Sequence, residues 1–215
     1  MDDLKLASLL CTRLCHDLVG PVGAVNNGIE LLSDPSGGLE DEVVELLGRS
    51  AGEAARRLRF FRAAFGLPGN TGGDGGVDGA RTVARALFEE GKVTLDWPDG
   101  TPPPSAAADA RLGQLLLNMI LCAAETLPRG GNVAVRSSAD AGRLTVRVAA
   151  TGPGAKVGDD LRAALGGAGD IGSIDLRSAQ PYLTARLAAA VGAALDLAQP
   201  SADAAELAAT LASGT

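Results

Sequence analysis

One residue of this chain is chemically distinctive, the single histidine at position 16. His16 is followed directly by Asp17, and Gly20 and Pro21 lie about one helical turn further along. A neutral imidazole is a nitrogen nucleophile, and its ordinary pKa of about 6.5 leaves much of it neutral near neutral pH. At about 100° per residue, His16 lies about 160° from the apolar stripe of a predicted helix. We therefore interpret His16 as a solvent-facing nucleophile offered to a partner, with an ordinary surface histidine as the alternative.

The neighbours of His16 favour the interpretation as a nucleophile. Its helix face is shared, at one-turn and two-turn spacings, by small or uncharged residues: Thr12, Gly20, Gly23 and Asn27. A glycine inside a helix costs about 1 kcal/mol relative to alanine, and Pro21 removes a helical hydrogen bond. Costs of this kind are often accepted at functional sites. Asp17 could hold an imidazole nitrogen and its tautomer, or it could be a solvated helix carboxylate.

Composition excludes several classes of protein. The chain has 215 residues, 46% of them hydrophobic, which suits one large or two small domains. A net charge of −7 argues against a general nucleic-acid binder, which needs a basic surface to neutralise phosphates. The sequence has neither a secretory signal pattern nor an apolar run of about 18 residues. We therefore expect no nucleic acid and no membrane among its partners, and a cytoplasmic location.

The three cysteines, Cys11, Cys15 and Cys122, do not make a disulfide framework. Cys11 and Cys15 project toward the apolar stripe of the first helix, which is typical of buried free cysteines. One histidine and one remote cysteine provide too few ligands for zinc, so we predict no metal site.

The N-terminal part is predicted to be an antiparallel helical hairpin. One helix spans about residues 3–32, turn-forming residues follow at 33–38, and a second helix spans 40–65. Apolar residues recur at helical spacing in both helices; in the first they are Leu4, Ala7, Cys11, Leu14, Leu18, Val22, Val25, Ile29 and Leu32. Two helices alone cannot cover both stripes, so we predict a homodimer with a four-helix bundle. The alternative is that the C-terminal part covers the stripe.

The rest of the chain is predicted to be an α/β domain joined by a linker. Residues 67–79 are rich in glycine and poor in apolar residues, which indicates a linker that lets the two halves reorient. Beyond it, periodicity predicts helices at 82–90, 106–127 and 181–193, and strands at 92–97, 132–138, 143–149, 194–198 and 206–211. The fold class is therefore α+β, with domains at 1–66 and 80–215 and one sheet covered by helices on one face.

Two segments carry a resemblance to a known family. The segment His-Asp-Leu-Val-Gly-Pro at 16–21 resembles the phosphoacceptor box of histidine kinases. Residues 114–124, followed by 127–131, resemble the first helix of the kinase ATP-binding domain. The combination covers nearly the whole chain and resembles the ChpT family of dimeric histidine phosphotransferases, which are similar to kinases that have lost nucleotide binding. The resemblance implies that 80–215 is an α/β sandwich similar to a histidine-kinase ATPase domain.

The chain departs from the kinase pattern at three places that bind nucleotide. Cys122 stands where kinases have a magnesium-binding asparagine, and sulfur is a poor ligand for a hard cation. Ala150 replaces the carboxylate of the Asp-x-Gly-x-Gly motif that reads adenine. Residues 177–182 lack the glycines of a phosphate-binding lid. We therefore predict no ATP binding and no cofactor of its own.

The resemblance implies a phosphoryl relay with His16 and Asp17 as its catalytic residues. An aspartyl phosphate on the receiver domain of a hybrid histidine kinase would donate to His16, and response regulators similar to CtrA would then accept. Magnesium would come with the receiver domain, and catalysis would be mainly positioning and charge neutralisation. The expected docking residues are Thr12, Arg13, Gly20, Gly23 and Asn27, with Arg13 approaching the phosphate.

Two other functions stay open at this point. The chain could be a non-catalytic dimeric adaptor that binds response regulators, in which case His16 would be replaceable. It could also be an ATP-dependent catalytic fragment of a sensor kinase, which the three departures disfavour.

Overall fold

The computed structural model describes residues 2–33, 40–67, 76–102, 109–166 and 171–212. Helix α1 spans Asp2–Leu32 and continues through Pro21, and helix α2 spans Glu40–Phe65. Both agree closely with the predicted bounds, while residues 34–38 of the predicted turn lie outside the described residues. Gly28, near the end of α1, meets Leu47 near the start of α2. The two helices therefore form the predicted antiparallel hairpin.

The linker is shorter in the structure than the sequence predicted. Helix α3 spans Gly76–Leu87, so residues 76–79 are helical and only 67–75 remain between the helices. Phe60 and Phe61 near the end of α2 are buried in the same hydrophobic core as the C-terminal part. The hairpin therefore packs directly on the C-terminal part, and separating the two would expose these aromatic side chains to water.

The C-terminal part alternates strands and helices. Strand β1 spans Val93–Asp96, followed by helix α4 at Ala110–Glu125 and by the β2–β3 hairpin at Gly131–Asp140 and Arg143–Thr151. Helix α5 at Asp159–Leu165 and a short 3₁₀ helix at Ile171–Ser173 come next. The chain continues with helix α6 at Ala179–Ala190, β4 at Ala194–Ser201 and β5 at Ala204–Ala212. All five predicted strands are confirmed, whereas α5 and the 3₁₀ helix were not predicted.

The five strands form one sheet in the order β1-β2-β3-β5-β4. Strand β1 pairs with β2 in parallel, and the other neighbours pair antiparallel. Alternate residues of β3 are buried, from Leu144 to Ala150, which means that one face of the sheet is covered. Helix α4 lies between this face and the helices α2, α3 and α6. The predicted α+β class, with helices on one face of a single sheet, is confirmed.

Helix α4 is the centre of the core. The side chain of Asp109 caps its N-terminus by accepting hydrogen bonds from the backbone N–H groups of Arg111 and Leu112. Leu115, Leu116 and other side chains on several faces of α4 are fully buried. A helix that is apolar all round belongs inside a protein, and α4 has partners on every side.

The apolar stripe of α1 is only partly covered. Leu6 and Leu9, which are not members of the stripe, pack on Ile171, Ile174 and Tyr182 of the C-terminal part. A group of exposed apolar and thiol side chains lies on the opposite side of the hairpin and forms what we call the outer face: Leu4, Cys11, Cys15, Val22 and Ile29 of α1 with Val44, Ala51 and Leu58 of α2. The prediction that Cys11 and Cys15 are buried is therefore wrong for the single chain, because α2 covers the other edge of the stripe.

None of the helices in the described part of the chain is both long enough and apolar enough to span a membrane.

Candidate functional site

His16 lies in the middle of α1, and 79% of its side chain is exposed. The surrounding surface is open, since a Cβ atom added to Gly20 or Gly23 would meet nothing within 4 Å. Asn27 is also exposed, and the Thr12 hydroxyl is turned back along the helix to donate to the Ser8 carbonyl at 2.9 Å. The imidazole therefore stands on a helix surface where the neighbouring side chains do not block access to it.

Val19 is an exposed residue of this surface that the sequence analysis did not single out. It lies three residues after His16, so the two side chains are neighbours on the helix. Its exposure was not recoverable from the sequence, because a valine in a helix is more often buried.

Asp17 holds the ring of His16. The Nδ1 atom of His16 lies 3.3 Å from Oδ1 of Asp17. The backbone of Asp17 is held in turn by α2, because Arg57 donates to the Asp17 carbonyl at 2.9 Å and is itself paired with Glu53 at 2.6 Å. With Nδ1 donating to the carboxylate, the Nε2 atom is the ring nitrogen left to act as a nucleophile.

Arg13 is placed differently from the prediction. Its side chain is only 15% exposed and forms an ion pair with Glu125 at the end of α4, while its Nε lies 3.9 Å from Oδ2 of Asp17. The position of Arg13 in the sequence predicted the face of α1 on which it lies, but not where its guanidinium group ends. Arg13 therefore points toward the C-terminal part, and an approach to a phosphate at His16 would require breaking the pair with Glu125.

A cavity of about 530 Å³ opens between α1 and the C-terminal part. Its walls carry charges of both signs, including those of Arg13, Asp17, Glu125, Lys156 and Arg177. Asp17 belongs to this cavity whereas His16 lies outside it. The cavity therefore borders the reactive histidine without enclosing it.

The helix that resembles the nucleotide-binding helix of kinases has a structural role here. Asn118 is fully buried and donates to the carbonyls of Ala64 at 2.8 Å and Gln114 at 2.9 Å. The amide of Gln114 donates to the Gly66 carbonyl at 2.7 Å. Because Ala64 and Gly66 lie at the end of α2, these side chains satisfy its terminal carbonyl groups and tie the hairpin to α4.

Cys122, one turn after Asn118 in α4, is covered by α6. The Cys122 thiol is fully buried, it donates to Oε1 of Gln180 at 3.4 Å, and it lies 3.5 Å from the Thr184 hydroxyl. Burial raises the pKa of the Cys122 thiol to about 12, so the thiol stays neutral near neutral pH. Gln180 also donates to the Asn118 carbonyl at 2.8 Å. These contacts fill the space around Cys122, the position at which the resemblance places the magnesium-binding asparagine of kinases.

A compact turn at 175–178 precedes α6, in the segment where the resemblance places the nucleotide lid of kinases. Oδ1 of Asp175 accepts hydrogen bonds from the Ser178 hydroxyl at 2.7 Å and from the backbone N–H groups of Arg177 and Ser178. The Ser178 hydroxyl and then these N–H groups lower the pKa of Asp175. Among the residues that the structure describes, no group of three or more histidine, cysteine or acidic side chains could hold a metal ion.

Comparisons with known proteins find related phosphotransferases. A sequence profile described as the histidine phosphotransferase C-terminal domain matches residues 77–203. The protein phosphotransferase ChpT of Brucella abortus (strain 2308) is 35% identical over 189 residues, which cover 88% of each chain. A solved structure described as a bacterial phosphotransferase is 31% identical, with a TM-score of 0.76 over 96% of each chain.

Proposed function

Because the chain belongs to the histidine phosphotransferase family, and is a histidine phosphotransferase of a phosphorelay, we propose that His16 is the residue that carries the phosphoryl group. The observation that supports this assignment most strongly is that the only histidine of the chain is exposed on an open helix surface and held by a carboxylate. No other imidazole is available for the reaction.

The reaction that this geometry supports is an in-line transfer. Nε2 of His16 attacks the phosphorus of an aspartyl phosphate, a nitrogen–phosphorus bond forms, and the bond to the aspartyl oxygen breaks with its electron pair staying on the carboxylate. The ring gains positive charge as the bond forms, and the carboxylate of Asp17 at Nδ1 stabilises that charge. The carboxylate of a second aspartate then takes the phosphoryl group by the reverse steps.

The partners that this reaction requires are receiver domains of two-component proteins. We assign the donor to a receiver domain of a hybrid histidine kinase and the acceptors to response regulators of the CtrA type. Their docking surface consists of Thr12, Gly20, Gly23 and Asn27 with the exposed Val19. Magnesium belongs to the receiver domain, where it neutralises the transferred phosphoryl group.

Three further features complete the proposal. The outer face is the seam of a homodimer in which two hairpins form a four-helix bundle. The closed positions around Asn118 and Cys122 support a phosphotransferase that does not bind ATP. The protein works in the cytoplasm, where receiver domains act.

The test of the proposal is transfer of labelled phosphate from a phosphorylated receiver domain. The wild-type chain should acquire label and pass it to a second receiver. The His16→Ala variant should acquire none and should leave the second receiver unlabelled, because the chain has no other histidine. Label on the variant would place the phosphoryl group on another residue, and relay that persists without His16 while the chain itself stays unlabelled would support the adaptor function instead.

A further inference from the structure

We propose that Glu125, at the end of α4 in the C-terminal part, is a positioning residue for phosphotransfer. It acts through Arg13 on Asp17, and so keeps the ring of His16 in the tautomer whose Nε2 atom is free to attack. This inference rests on the proposed role of His16. The inference assigns the C-terminal part a role in phosphotransfer, although we propose that this part does not bind ATP.

The contacts form an unbroken path from α4 to the imidazole. Nη2 of Arg13 donates to Oε1 of Glu125, across 112 positions of sequence. Nε of the same guanidinium lies 3.9 Å from Oδ2 of Asp17, while Oδ1 of Asp17 lies 3.3 Å from Nδ1 of His16. Arg13 therefore bridges two carboxylates, and one of them touches the reactive ring.

Burial makes Arg13 a stiff link. Its Nε atom is buried and has no hydrogen-bond partner among the residues that the structure describes. A buried N–H group without an acceptor is unfavourable, so the guanidinium is drawn toward Oδ2 of Asp17, within reach of a small side-chain rotation. Glu125 holds the other end of the guanidinium and prevents it from turning away into the cavity.

Asp17 needs this support because it is adjacent to His16 in the helix. Neighbouring residues of a helix do not face each other, so the contact between Nδ1 and Oδ1 requires one particular rotamer of Asp17. Arg57 holds only the backbone carbonyl of Asp17, and the guanidinium of Arg13, with its Nε 3.9 Å from Oδ2, is the cation placed beside the carboxylate. Without Glu125 the carboxylate gains other rotamers, and the imidazole returns to the tautomer preferred in water, with the proton on Nε2.

The single histidine makes the tautomer directly measurable. Protein labelled with ¹⁵N in histidine has one imidazole, and its two nitrogen shifts at about pH 9, where an ordinary imidazole is neutral, report which nitrogen carries the proton. We expect mainly Nδ1–H in the wild type and a shift toward Nε2–H in Glu125→Gln. Phosphotransfer to the same variant should slow on the order of tenfold, since the nucleophile is less often in the reactive state.

A charge-swap variant separates positioning from simple docking of the domains. In Arg13→Glu combined with Glu125→Arg the ion pair between α1 and α4 is restored, but Asp17 faces a carboxylate. A structural role of the pair would be rescued, whereas the positioning role predicts that the Nε2–H tautomer and slow transfer persist. If Glu125→Gln does not fold, Arg13→Lys takes its place, because an ammonium cannot bridge both carboxylates.

The outcomes are decisive for this inference alone. An unchanged tautomer in a folded Glu125→Gln or Arg13→Lys variant overturns it, as does full rescue by the charge swap. The proposed function of His16 fails on a different result, namely label transfer to His16→Ala.

Discussion

At the residue scale, Gly20 and Gly23 carry a cost that the fold does not require. Both lie inside α1, and alanine would fit at either position without touching another residue. We expect Gly20→Ala to stabilise the protein by about 0.5–1 kcal/mol, because alanine is the better helix former. We also expect slower phosphotransfer, because the added methyl group intrudes on the docking surface of the receiver. Thermal unfolding and label transfer measure the two effects.

Measuring both stability and transfer rate separates an effect on receiver docking from an effect on folding. A variant that is more stable and also slower cannot owe its slower transfer to unfolding. Equal transfer rates for Gly20→Ala, Gly23→Ala and the wild type would show that neither glycine is needed for docking of the receiver.

The residues of the site were predictable to different degrees. The exposure of His16 follows from helical periodicity, because a helix fixes the direction of each Cα–Cβ bond. The position of Arg13 does not, since its long side chain reaches across to Glu125, a residue 112 positions away that no local pattern connects with it. The role proposed for Glu125 was therefore invisible in the sequence.

At the scale of elements, α4 and α6 explain the prediction that ATP is not bound. The side chains of Asn118, Cys122 and Gln180 are fully buried and hydrogen-bonded to one another or to the end of α2. Calorimetric titration with Mg²⁺ and ATP should show no saturable heat up to millimolar nucleotide. A histidine kinase domain with its asparagine and aspartate intact serves as the positive control.

A stricter form of the same experiment restores one kinase residue. Cys122→Asn should still not bind ATP, because Gln180 and Thr184 continue to fill the position and Ala150 provides no carboxylate. The variant should also unfold at a lower temperature, since the larger amide must find partners in a filled core. Saturable binding by this variant would mean that the site is nearer to a functional one than its contacts indicate.

Secondary structure was predictable from the sequence wherever apolar residues recur at a regular spacing over a long enough segment. Helices α1 and α2 and the five strands show periods of 3.6 or 2 over several residues, and their bounds agree with prediction. The seven-residue α5 is too short to show a helical period. The start of α3 at Gly76 was missed because glycines dominate the segment, and its burial depends on packing against α4, where Gly113 approaches the Gly76 carbonyl.

At the scale of the whole molecule, the sequence predicted two halves joined by a linker, whereas in the structure the end of α2 lies in the main core of the C-terminal part. The reason is that Phe60 and Phe61 project from the last turns of α2 into the C-terminal part, while Gln114 and Asn118 bind the end of the same helix. Periodicity places Phe61 on the apolar stripe of α2 but does not place Phe60 there, and it does not say against which partner the stripe packs. The consequence for function is that the C-terminal part packs on the hairpin that carries His16, and Glu125 reaches Arg13 from there.

The homodimer is the last prediction, and two residues of α2 test it as a matched pair. Val44 belongs to the outer face and is 57% exposed, whereas Leu46 is 37% exposed and points the opposite way, about 200° around the helix. Both are exposed in the single chain, so glutamate should be tolerated by its fold at either position. Val44→Glu should dissociate the dimer, because the symmetric seam would bury two unpaired charges, one from each protomer, and Leu46→Glu should not.

Light scattering at micromolar concentration reports the mass of each variant, and the cysteines provide a second readout. Cys11 and Cys15 lie on the outer face, whereas Cys122 is buried with its pKa raised to about 12. We expect alkylation of Cys11 and Cys15 to be slow in the wild type and in Leu46→Glu and fast in Val44→Glu, with Cys122 unreactive in all three. A monomeric wild type with freely reacting Cys11 would show that the outer face has another use, because a four-helix bundle cannot form without closing it.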